Sequence, residues 1–259
     1  MKKSEHMRFL NAIVRKPGIN YSEGITTAGL GKPDIKLALR QYEAYCRSLE
    51  KCGLFVEKLE PAHSFPDAVF VEDTAIVTGN IAVIARPGDL RRRGEENIVE
   101  KVIKKYRTVV RIEEPGTLDG GDICQTEDRF FIGISGRTNH EGAMQLKSIL
   151  SHYGYSASLI EVHHTLHLKS GFNNLGNNRL LIHEQFYDNP AIKKYEKIIV
   201  PEKEAYAANV VRVNDHLLVP EGFPETLAKL KQLNIPLIIL DVSEFRKMDG
   251  GLSCLSIRF

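Results

Sequence analysis

Apolar and polar stretches follow one another along the chain in a recurring order: a short apolar strand, a polar turn, a second strand, a helical stretch and a third strand. In the clearest unit, TAIV from Thr74 leads through the turn TGN to IAVIARPG, the helix EENIVEKVIKKY and the strand VVRIEEP. Three further units begin at DICQ, GFNN and NVVRV. Their turns contain Gly, Asn or Asp, which tolerate the positive φ of tight hairpins. The repeat predicts ββαβ modules.

The two ends of the chain are predicted to share a fifth module. The last strand, LSCLSIRF, lacks a following hairpin partner, and the first, MRFLNAIVRKPG, lacks a preceding one. If they pair, a helix and the strand LFVEKLEP complete a fifth copy. The predicted fold is a five-fold pseudosymmetric α/β propeller, closed by its terminal strands, in one domain over residues 1–259. Hairpin turns argue against a doubly wound parallel sheet, since parallel strands need long crossovers.

Local signals mark where the predicted helices begin and end. In the N-terminal helix, Pro33 suits the first turn and Gly53 the end. In the DICQ unit, whose hairpin turn is TED, Thr138 and Glu141 make a capping-box pair and Gly154 suits the C-cap. In the GFNN unit, a helix is predicted over NPAIKKYEKI.

Composition and charge exclude several classes of protein. The 259 residues are 42% hydrophobic and 26% charged, and 35 Lys and Arg against 33 Asp and Glu leave a net charge of +2. These values indicate a globular core and no nucleic-acid partner. No apolar run approaches the ~20 residues of a membrane helix, and the N-terminus indicates a mature cytoplasmic start without a signal peptide. The four cysteines form no CxxC motif, so neither a zinc knuckle nor a disulfide framework is expected.

The chemistry is concentrated in the loops that lead into each module. They read FPDAVFVED, TLDGGD, TLHLKSG, AYAAN and KMDGGLSC. In a propeller these loops converge near the axis and would bring nine side chains to one cavity: Asp67, Glu72, Asp73, Asp119, Asp122, His167, Ser170, Asn209 and Cys254. Several carboxylates share a site cheaply only when a cation neutralises them, so a cationic substrate is expected. A thiol among them would resist ionisation until that cation binds.

These motifs resemble those of the dimethylarginine dimethylaminohydrolases, of the guanidine-modifying (amidinotransferase) superfamily. The resemblance spans essentially the whole chain. It rests on eight ordered blocks: LGKPD (30–34), FPDAVFVED (65–73), ARPG with RRRGE (85–95), PGTLDGGD (115–122), GRTN (136–139), LHLK (166–169), YAAN (206–209) and DGGLSC (249–254). It implies a five-module propeller, in agreement with the repeat.

The resemblance also implies site residues. Cys254 would be the nucleophile at the guanidinium carbon, His167 the general acid and then the base, and Asp119 the group that orients His167. The implied substrate-binding residues are Glu72 and Asp73 at the guanidinium nitrogens, Arg92 and Arg137 at the α-carboxylate, and Asp67 with the main-chain oxygens of Leu30 and Met248 at the α-amino group. Leu30 would lie on a mobile lid, GITTAGLGKPD.

The chemistry of a guanidinium group suits these residues. The group is resonance-stabilised, and a thiolate divides its slow hydrolysis into two easier steps. The leaving amine needs an acid that works near neutral pH, which suits histidine. The expected substrate is a small guanidino amino acid. The products would be citrulline and an amine, formed through a covalent thiouronium, and no metal or organic cofactor is required.

Plainer interpretations exist for the same residues. A free cysteine is usually a small core residue, but the position of Cys254 after DGGLS, with His167 in a matching context, favours the nucleophile. Among Arg91, Arg92 and Arg93, only Arg92 is expected to point inward. The glycine pairs at 120–121 and 250–251 are expected to mark close backbone approach, with no phosphate-loop role.

Three questions of function stay open at this point. Within the superfamily, an arginine deiminase-like or amidinotransferase activity is the alternative. A non-enzymatic propeller acting as a binding module is the alternative of a different class, and the grouped Cys, His and acids argue against it. The sequence also leaves the oligomeric state open, a homodimer through the outer face included.

Overall fold

The structure, a computed structural model, describes residues 8–127 and 129–259. Residues 1–7 and Asp128 lie outside the described residues. The start of the predicted first strand, the predicted mature N-terminus and the last position of the TED turn therefore lie outside them too.

The described residues form five three-stranded sheets and five α-helices. The strands are β1 (Asn11–Arg15), β2 (Phe55–Leu59), β3 (Ala75–Val77), β4 (Ile81–Ile84), β5 (Thr108–Arg111), β6 (Ile123–Gln125), β7 (Arg129–Ile134), β8 (Ser156–Glu161), β9 (Phe172–Gly176), β10 (Arg179–Ile182), β11 (Glu196–Ile199), β12 (Val211–Val213), β13 (His216–Pro220), β14 (Leu237–Leu240) and β15 (Ile257–Arg258). The helices are α1 (Ile35–Lys51), α2 (Glu95–Ile103), α3 (His140–His152), α4 (Pro224–Lys231) and α5 (Ser243–Arg246).

Four sheets have the same order, an antiparallel hairpin followed by a strand parallel to its middle strand. The fifth sheet is built from both ends of the chain. There β15 pairs antiparallel with β1, and β1 pairs parallel with β2. The five-fold pseudosymmetric α/β propeller and its closure by terminal strands are thus confirmed. The assignment of residues 1–259 to a single domain stays a prediction.

The middle strands carry the core, and the first strands surround the axis. β4, β7, β10 and β13 are buried along most of their length, as expected for strands covered on both faces. One cavity is lined by Ala75, Cys124, Asn174, Val211 and Ile257, one residue from the first strand of each sheet. It therefore runs along the pseudosymmetry axis. The loops that precede these strands meet at one end of the axis.

One predicted helix is wrong. The segment NPAIKKYEKI forms only a 3₁₀ turn, Pro190–Ile192, capped by the Asn189 side chain, which accepts from the Ala191 backbone N–H at 2.9 Å. The remainder enters β11, where Glu196 pairs with Arg179. A helix this short is marginal in water, so strand pairing prevails over it.

Two predicted helix starts are also corrected. α3 is capped by Asn139, whose side chain accepts from the Gly142 N–H at 2.8 Å, whereas Thr138 donates its hydroxyl to buried Asp122. The prediction of a capping box between Thr138 and Glu141 is therefore wrong. α1 is capped by Asp34, which leaves Pro33 before the helix rather than in its first turn. Among the described residues no helix is both long and apolar enough to cross a membrane.

Ring closure can be tested at Ile257. This side chain is 4% exposed and packs in a cluster with β1, β3 and α2 residues, so Ile257→Ala is expected to lower the free energy of unfolding by about 2–5 kcal/mol. Phe55 of the same sheet is 64% exposed, and Phe55→Ala should change it by about 0.5 kcal/mol or less. Urea denaturation measures both. Equal effects of the two substitutions would contradict a stabilising closure.

Candidate active site

Short 3₁₀ turns carry the predicted site residues to one end of the axis. The turns are Pro66–Val69, Val71–Thr74, Gly120–Asp122, Leu168–Ser170 and Ser253–Leu255. The first leads into the second, and at most one residue lies between each of the other four and the first strand of its module. Seven of the ten predicted residues line one cavity at this end: Asp67, Asp73, Arg92, Arg137, His167, Met248 and Cys254. Asp119 lies directly behind His167. Leu30 and Glu72 are not among the lining residues.

His167 and Asp119 form a buried pair. Nε2 of His167 lies 3.0 Å from Oδ2 of Asp119, and Oδ1 of Asp119 accepts from the Gly88 N–H at 3.0 Å. Burial lowers the pKa of His167, but the charges of Asp73 and Asp122 and the hydrogen bond to Asp119 outweigh it and raise that pKa to about 9. The imidazole is therefore protonated at neutral pH in the free protein.

Asp122 supports this pair from behind the cavity. Its carboxylate accepts from the hydroxyls of Ser135 and Thr138 at 2.7 and 2.6 Å, and from the Leu168 N–H at 2.9 Å. The Leu168 N–H belongs to the turn that follows His167. The sequence predicted Asp122 in the cavity, but the structure buries it completely, as an anchor for that turn.

Asp73 and Arg92 form a second buried pair. Oδ2 of Asp73 accepts from Nη1 of Arg92 at 2.5 Å, and Oδ1 accepts from the Gly121 N–H at 2.9 Å. Burial opposes the charge of Asp73, but His167 and Arg92 overcome it and lower the pKa to about 2. Arg92 is 5% exposed while Arg91 is exposed to solvent, so the inward orientation predicted for Arg92 is confirmed.

Glu95 is a partner of Arg92 that the sequence reasoning missed. Its carboxylate accepts from Nε at 3.1 and 3.2 Å and from Nη2 at 2.7 Å, and it is 1% exposed. Nη2 also donates to the Phe70 carbonyl oxygen at 3.1 Å. Burial raises the pKa of Glu95 to about 7, although the charge of Arg92 and its hydrogen bonds to Glu95 act to lower that pKa. Its position three residues after Arg92 on a helix start was the available signal.

Glu72 faces away from the cavity. Its Oε1 accepts from Nζ of Lys169 at 2.6 Å and from Nη2 of Arg258 at 2.8 Å, and it lines the axial cavity instead. Among the described residues Oε2 has no hydrogen-bond partner. Its contact with a guanidinium stays a prediction. Lys169 and Arg258 were missed because nothing in the sequence pairs residues so far apart.

Cys254 is partly exposed, unlike the other three cysteines of the chain. Its Sγ accepts from the Gly251 N–H at 3.4 Å. Burial of the thiolate and the charges of Asp73 and Glu72 raise the pKa of Cys254 to about 12. The direction agrees with the sequence expectation that a thiol among carboxylates resists ionisation. Cys46, Cys52 and Cys124 are buried free thiols.

The predicted lid lies over Asp67 and Asp249. Both carboxylate oxygens of Asp67 accept from the Ile25 N–H at 3.1 Å, and Oδ2 of Asp249 accepts from the Thr27 N–H at 2.5 Å. Leu30 is 48% exposed, between two glycines of positive φ. The roles of Leu30, Met248 and Asp67 at an α-amino group stay predictions.

The glycine pairs agree with the expected close approach. A Cβ on Gly120 would lie 2.0 Å from the Glu72 carbonyl oxygen, and one on Gly121 would lie 2.7 Å from Nδ1 of His167. A Cβ on Gly250 would lie 2.1 Å from the Phe70 ring. Only glycine fits at such distances, so the pairs let neighbouring modules meet at the axis.

One cluster has the spacing of metal ligands. Among the described residues Asp73, Asp119 and His167 offer atoms within 4.8 Å of one another. Asp73 is held by Arg92, and Asp119 is held by His167. Zinc sites in proteins have four ligands, often with one position open to water. A network of proton-bearing and charged groups accounts for these contacts without an ion.

The His167 pair predicts how stability depends on pH. Its pKa rises from 6.5 to about 9 on folding, so the stabilisation is complete below pH 6.5 and is lost as pH increases through 9. We expect the free energy of unfolding to decrease by about 3 kcal/mol over that range. His167→Gln should flatten the slope, and His163→Gln at the surface should not. A slope unchanged in His167→Gln would contradict the assignment.

Comparison with known proteins shows what this chain is similar to in sequence and in fold. The arginine deiminase family model matches residues 61–216. An N(G),N(G)-dimethylarginine dimethylaminohydrolase of Pseudomonas aeruginosa is 43% identical and covers 97% of this chain and 100% of its own length, and one of Streptomyces coelicolor is 34% identical, with 95% and 96% covered. The solved Pseudomonas aeruginosa structure with citrulline superposes with a TM-score of 0.96 at 42% identity, over 98% of this chain and 100% of that one. The sequence identity over nearly the whole chain and the shared fold show that the chain belongs to the dimethylarginine dimethylaminohydrolase family.

Proposed function

We propose that this chain hydrolyses Nω-methylated arginines, asymmetric dimethylarginine and monomethylarginine, to citrulline and methylamines. The observation that carries the proposal is the convergence of the Cys254 thiol and the His167 imidazole on one cavity. The Pseudomonas aeruginosa relative, which carries the dimethylarginine dimethylaminohydrolase name, supports the same reaction. The chain would be a hydrolase acting on a C–N bond of a linear amidine.

In the first step the Cys254 thiolate attacks the guanidinium carbon and forms an S–C bond. The C–N bond to the methylated nitrogen then breaks, and the amine leaves with a proton from His167. Asp119 holds Nε2, so Nδ1 is the ring nitrogen left to exchange this proton. A histidine with a pKa of about 9 carries the proton at neutral pH and is ready to act as the acid.

In the second step water hydrolyses the thiouronium. The neutral His167 takes one proton from water as the oxygen adds to the same carbon. The C–S bond then breaks, and the second proton of that water passes to solvent, where the released amine takes it up. Citrulline and the Cys254 thiolate result, and His167 is again protonated. Asp73, Asp119 and Asp122 surround His167 in both steps and favour the protonated form that each cycle regenerates.

The substrate's own charge would help to form the nucleophile. The raised pKa of Cys254 comes from burial and from the charges of Asp73 and Glu72. A guanidinium cation beside these carboxylates offsets their charge and lowers the thiol pKa. Substrate binding and thiolate formation are then linked, and the free thiol is protected from side reactions.

Arg137 is the better placed of the two arginines to bind a carboxylate. Its Nη1 lies 3.8 Å from Asp89 and 4.0 Å from Asp119, beyond hydrogen-bond distance of either. All three side-chain nitrogens of Arg92 already donate, to Asp73, to Glu95 and to the Phe70 carbonyl oxygen. We assign the main α-carboxylate contact to Arg137, with Asp67 as the acceptor for the α-amino group.

An arginine deiminase-like activity is the second candidate. The match of the arginine deiminase model to residues 61–216 favours it. The two activities share the nucleophile and differ in whether ammonia or a methylated amine leaves. The amidinotransferase activity, the homodimer through the outer face and the cytoplasmic location, all raised by the sequence, stay predictions.

The reaction is tested by citrulline release from asymmetric dimethylarginine, monomethylarginine and arginine. We expect turnover of the methylated substrates and a loss of at least about 10³-fold in Cys254→Ser. Cys124→Ser is the matched control and should stay active, because this buried thiol does not line the cavity that contains His167 and Cys254. A preference for arginine would support the deiminase. No turnover of any of the three by folded protein would overturn the proposal.

The carboxylate contact is tested at Arg137. Arg137→Ala should raise KM for monomethylarginine about 10- to 100-fold with little change in kcat, because it removes a charged hydrogen bond that binds ground state and transition state alike. Arg91→Ala is the matched control, since Arg91 is exposed and pairs with Asp89. Steady-state kinetics measures both variants. An unchanged KM in Arg137→Ala would remove Arg137 from the binding site.

A further inference from the structure

Asn209 connects the two chain segments that carry the proposed nucleophile and acid. It lies at the end of the 3₁₀ segment Glu202–Ala208 and is 5% exposed. Its amide Nδ2 donates to the Lys169 carbonyl oxygen at 3.0 Å, two residues after His167. The same Nδ2 donates to Oγ of Ser253 at 3.0 Å, and Oδ1 accepts from the Ser253 N–H at 2.9 Å. Ser253 directly precedes Cys254.

The direction of these hydrogen bonds has a consequence for the sulfur. Because Nδ2 of Asn209 donates to the Ser253 oxygen, the hydroxyl proton of Ser253 is left free to point elsewhere. Oγ of Ser253 lies 4.0 Å from Sγ of Cys254. A hydroxyl proton directed at Sγ stabilises the thiolate more than the thiol. The amide thereby leaves the Ser253 hydroxyl able to donate to the sulfur.

Asn209 also supports a second donor to the same sulfur. A Cβ on Gly251 would lie 2.4 Å from Cγ of Asn209, so the amide fills the space beside that glycine. The Gly251 N–H donates to Sγ of Cys254 at 3.4 Å. The neighbouring Tyr206 also holds this glycine segment in place, since its hydroxyl donates to the Gly250 carbonyl oxygen at 2.8 Å. The Asn209 side chain therefore contacts both groups that lie next to the sulfur, the Gly251 backbone and the Ser253 hydroxyl.

We propose that Asn209 is a positioning residue that aims the Ser253 hydroxyl and the Gly251 N–H at Cys254 and fixes the nucleophile relative to His167. The inference rests on the proposed function, because it takes Cys254 as the nucleophile. Asn209 itself touches no reacting atom in this arrangement. Its effect reaches the reaction through the ionisation of the thiol and the spacing of the two turns.

Asn173 is a natural control within the fold. Its Nδ2 donates to the same Lys169 carbonyl oxygen at 2.7 Å and to the Ala208 carbonyl oxygen at 2.8 Å. It is 4% exposed, like Asn209, but none of its hydrogen bonds reaches the segment from Gly251 to Cys254. The two amides therefore share one carbonyl and differ in their contact with the nucleophile.

The test combines alkylation of Cys254 with steady-state kinetics. Below the thiol pKa, the rate of alkylation by iodoacetamide follows the thiolate fraction. Asn209→Ala should slow alkylation at pH 8 about tenfold, from the loss of one hydrogen bond to the thiolate. It should lower kcat for monomethylarginine about 10²-fold with little change in KM, because the reacting groups lose their alignment. Asn173→Ala should leave the alkylation rate unchanged.

Two further variants keep the test decisive if Asn209→Ala folds poorly. Asn209→Asp retains the acceptor for the Ser253 N–H and removes both donors, so it should slow alkylation at least as much. Ser253→Ala removes the hydroxyl alone and should slow it part of the way. In the Ser253→Ala background, Asn209→Ala should then add less than it does alone, because the two act through one hydroxyl.

The outcomes separate this inference from the proposed function. Unchanged alkylation and kcat in folded Asn209→Ala and Asn209→Asp would overturn the inference, and so would an equal effect of Asn173→Ala, which would indicate general loosening. Full turnover by Cys254→Ser would overturn the proposed function, whatever the alkylation rates. A slow alkylation confined to the Asn209 and Ser253 variants supports the positioning role.

Discussion

Ile257 and Arg258 pair with Ile13 and Ala12, and this short ladder joins the two ends of the chain. The proposed nucleophile, Cys254, lies only three residues before it. Arg258 also donates to the Ser253 and Ser256 carbonyl oxygens and to Glu72 of the first complete module. The strand that closes the ring therefore also fixes the turn that carries the sulfur. Stability of the ring and geometry of the site depend on the same contacts.

Charge balance is the second constraint, and it acts at the end of the axis where the turns meet. Burying a carboxylate without a partner costs roughly several kcal/mol, and most of the buried acids here have a cation or several donors. Arg92 serves Asp73, and Arg258 with Lys169 serves Glu72. For the Cys254 thiol, burial and the charges of Asp73 and Glu72 outweigh the opposite effect of Lys169 and raise the pKa. A cationic substrate beside these carboxylates would lower that pKa and so act directly on the nucleophile.

The sequence predicted the ring because hydrophobic strands, turn residues and helices recur in the same order along the chain. Pseudosymmetry brings equivalent loops together, and four of the nine side chains predicted on that ground line the cavity: Asp67, Asp73, His167 and Cys254. The other five do not line it: Glu72, Asp119, Asp122, Ser170 and Asn209. The predictions failed where one local interaction prevailed over another. After the turn at Pro190, the residues of the predicted helix pair as a strand instead. The Thr138 hydroxyl donates to Asp122 instead of capping its helix. The partner of Glu72 lies at the far end of the chain, and no periodicity in the sequence connects the two.

The two glycine pairs have the same physical origin although they lie 130 residues apart. Five loops converge on one axis, and the space beside a loop is then too narrow for a Cβ. Gly121 lies between Asp73 and His167, and Gly251 lies against Asn209 of the preceding module. In each pair the missing side chain lets a polar group of a neighbouring module approach the backbone. Crowding at the axis thus leaves backbone N–H groups next to functional side chains: the Gly121 N–H binds Asp73, and the Gly251 N–H binds the sulfur of Cys254. A nearly symmetric backbone acquires an asymmetric site because each module fills this narrow space with different side chains.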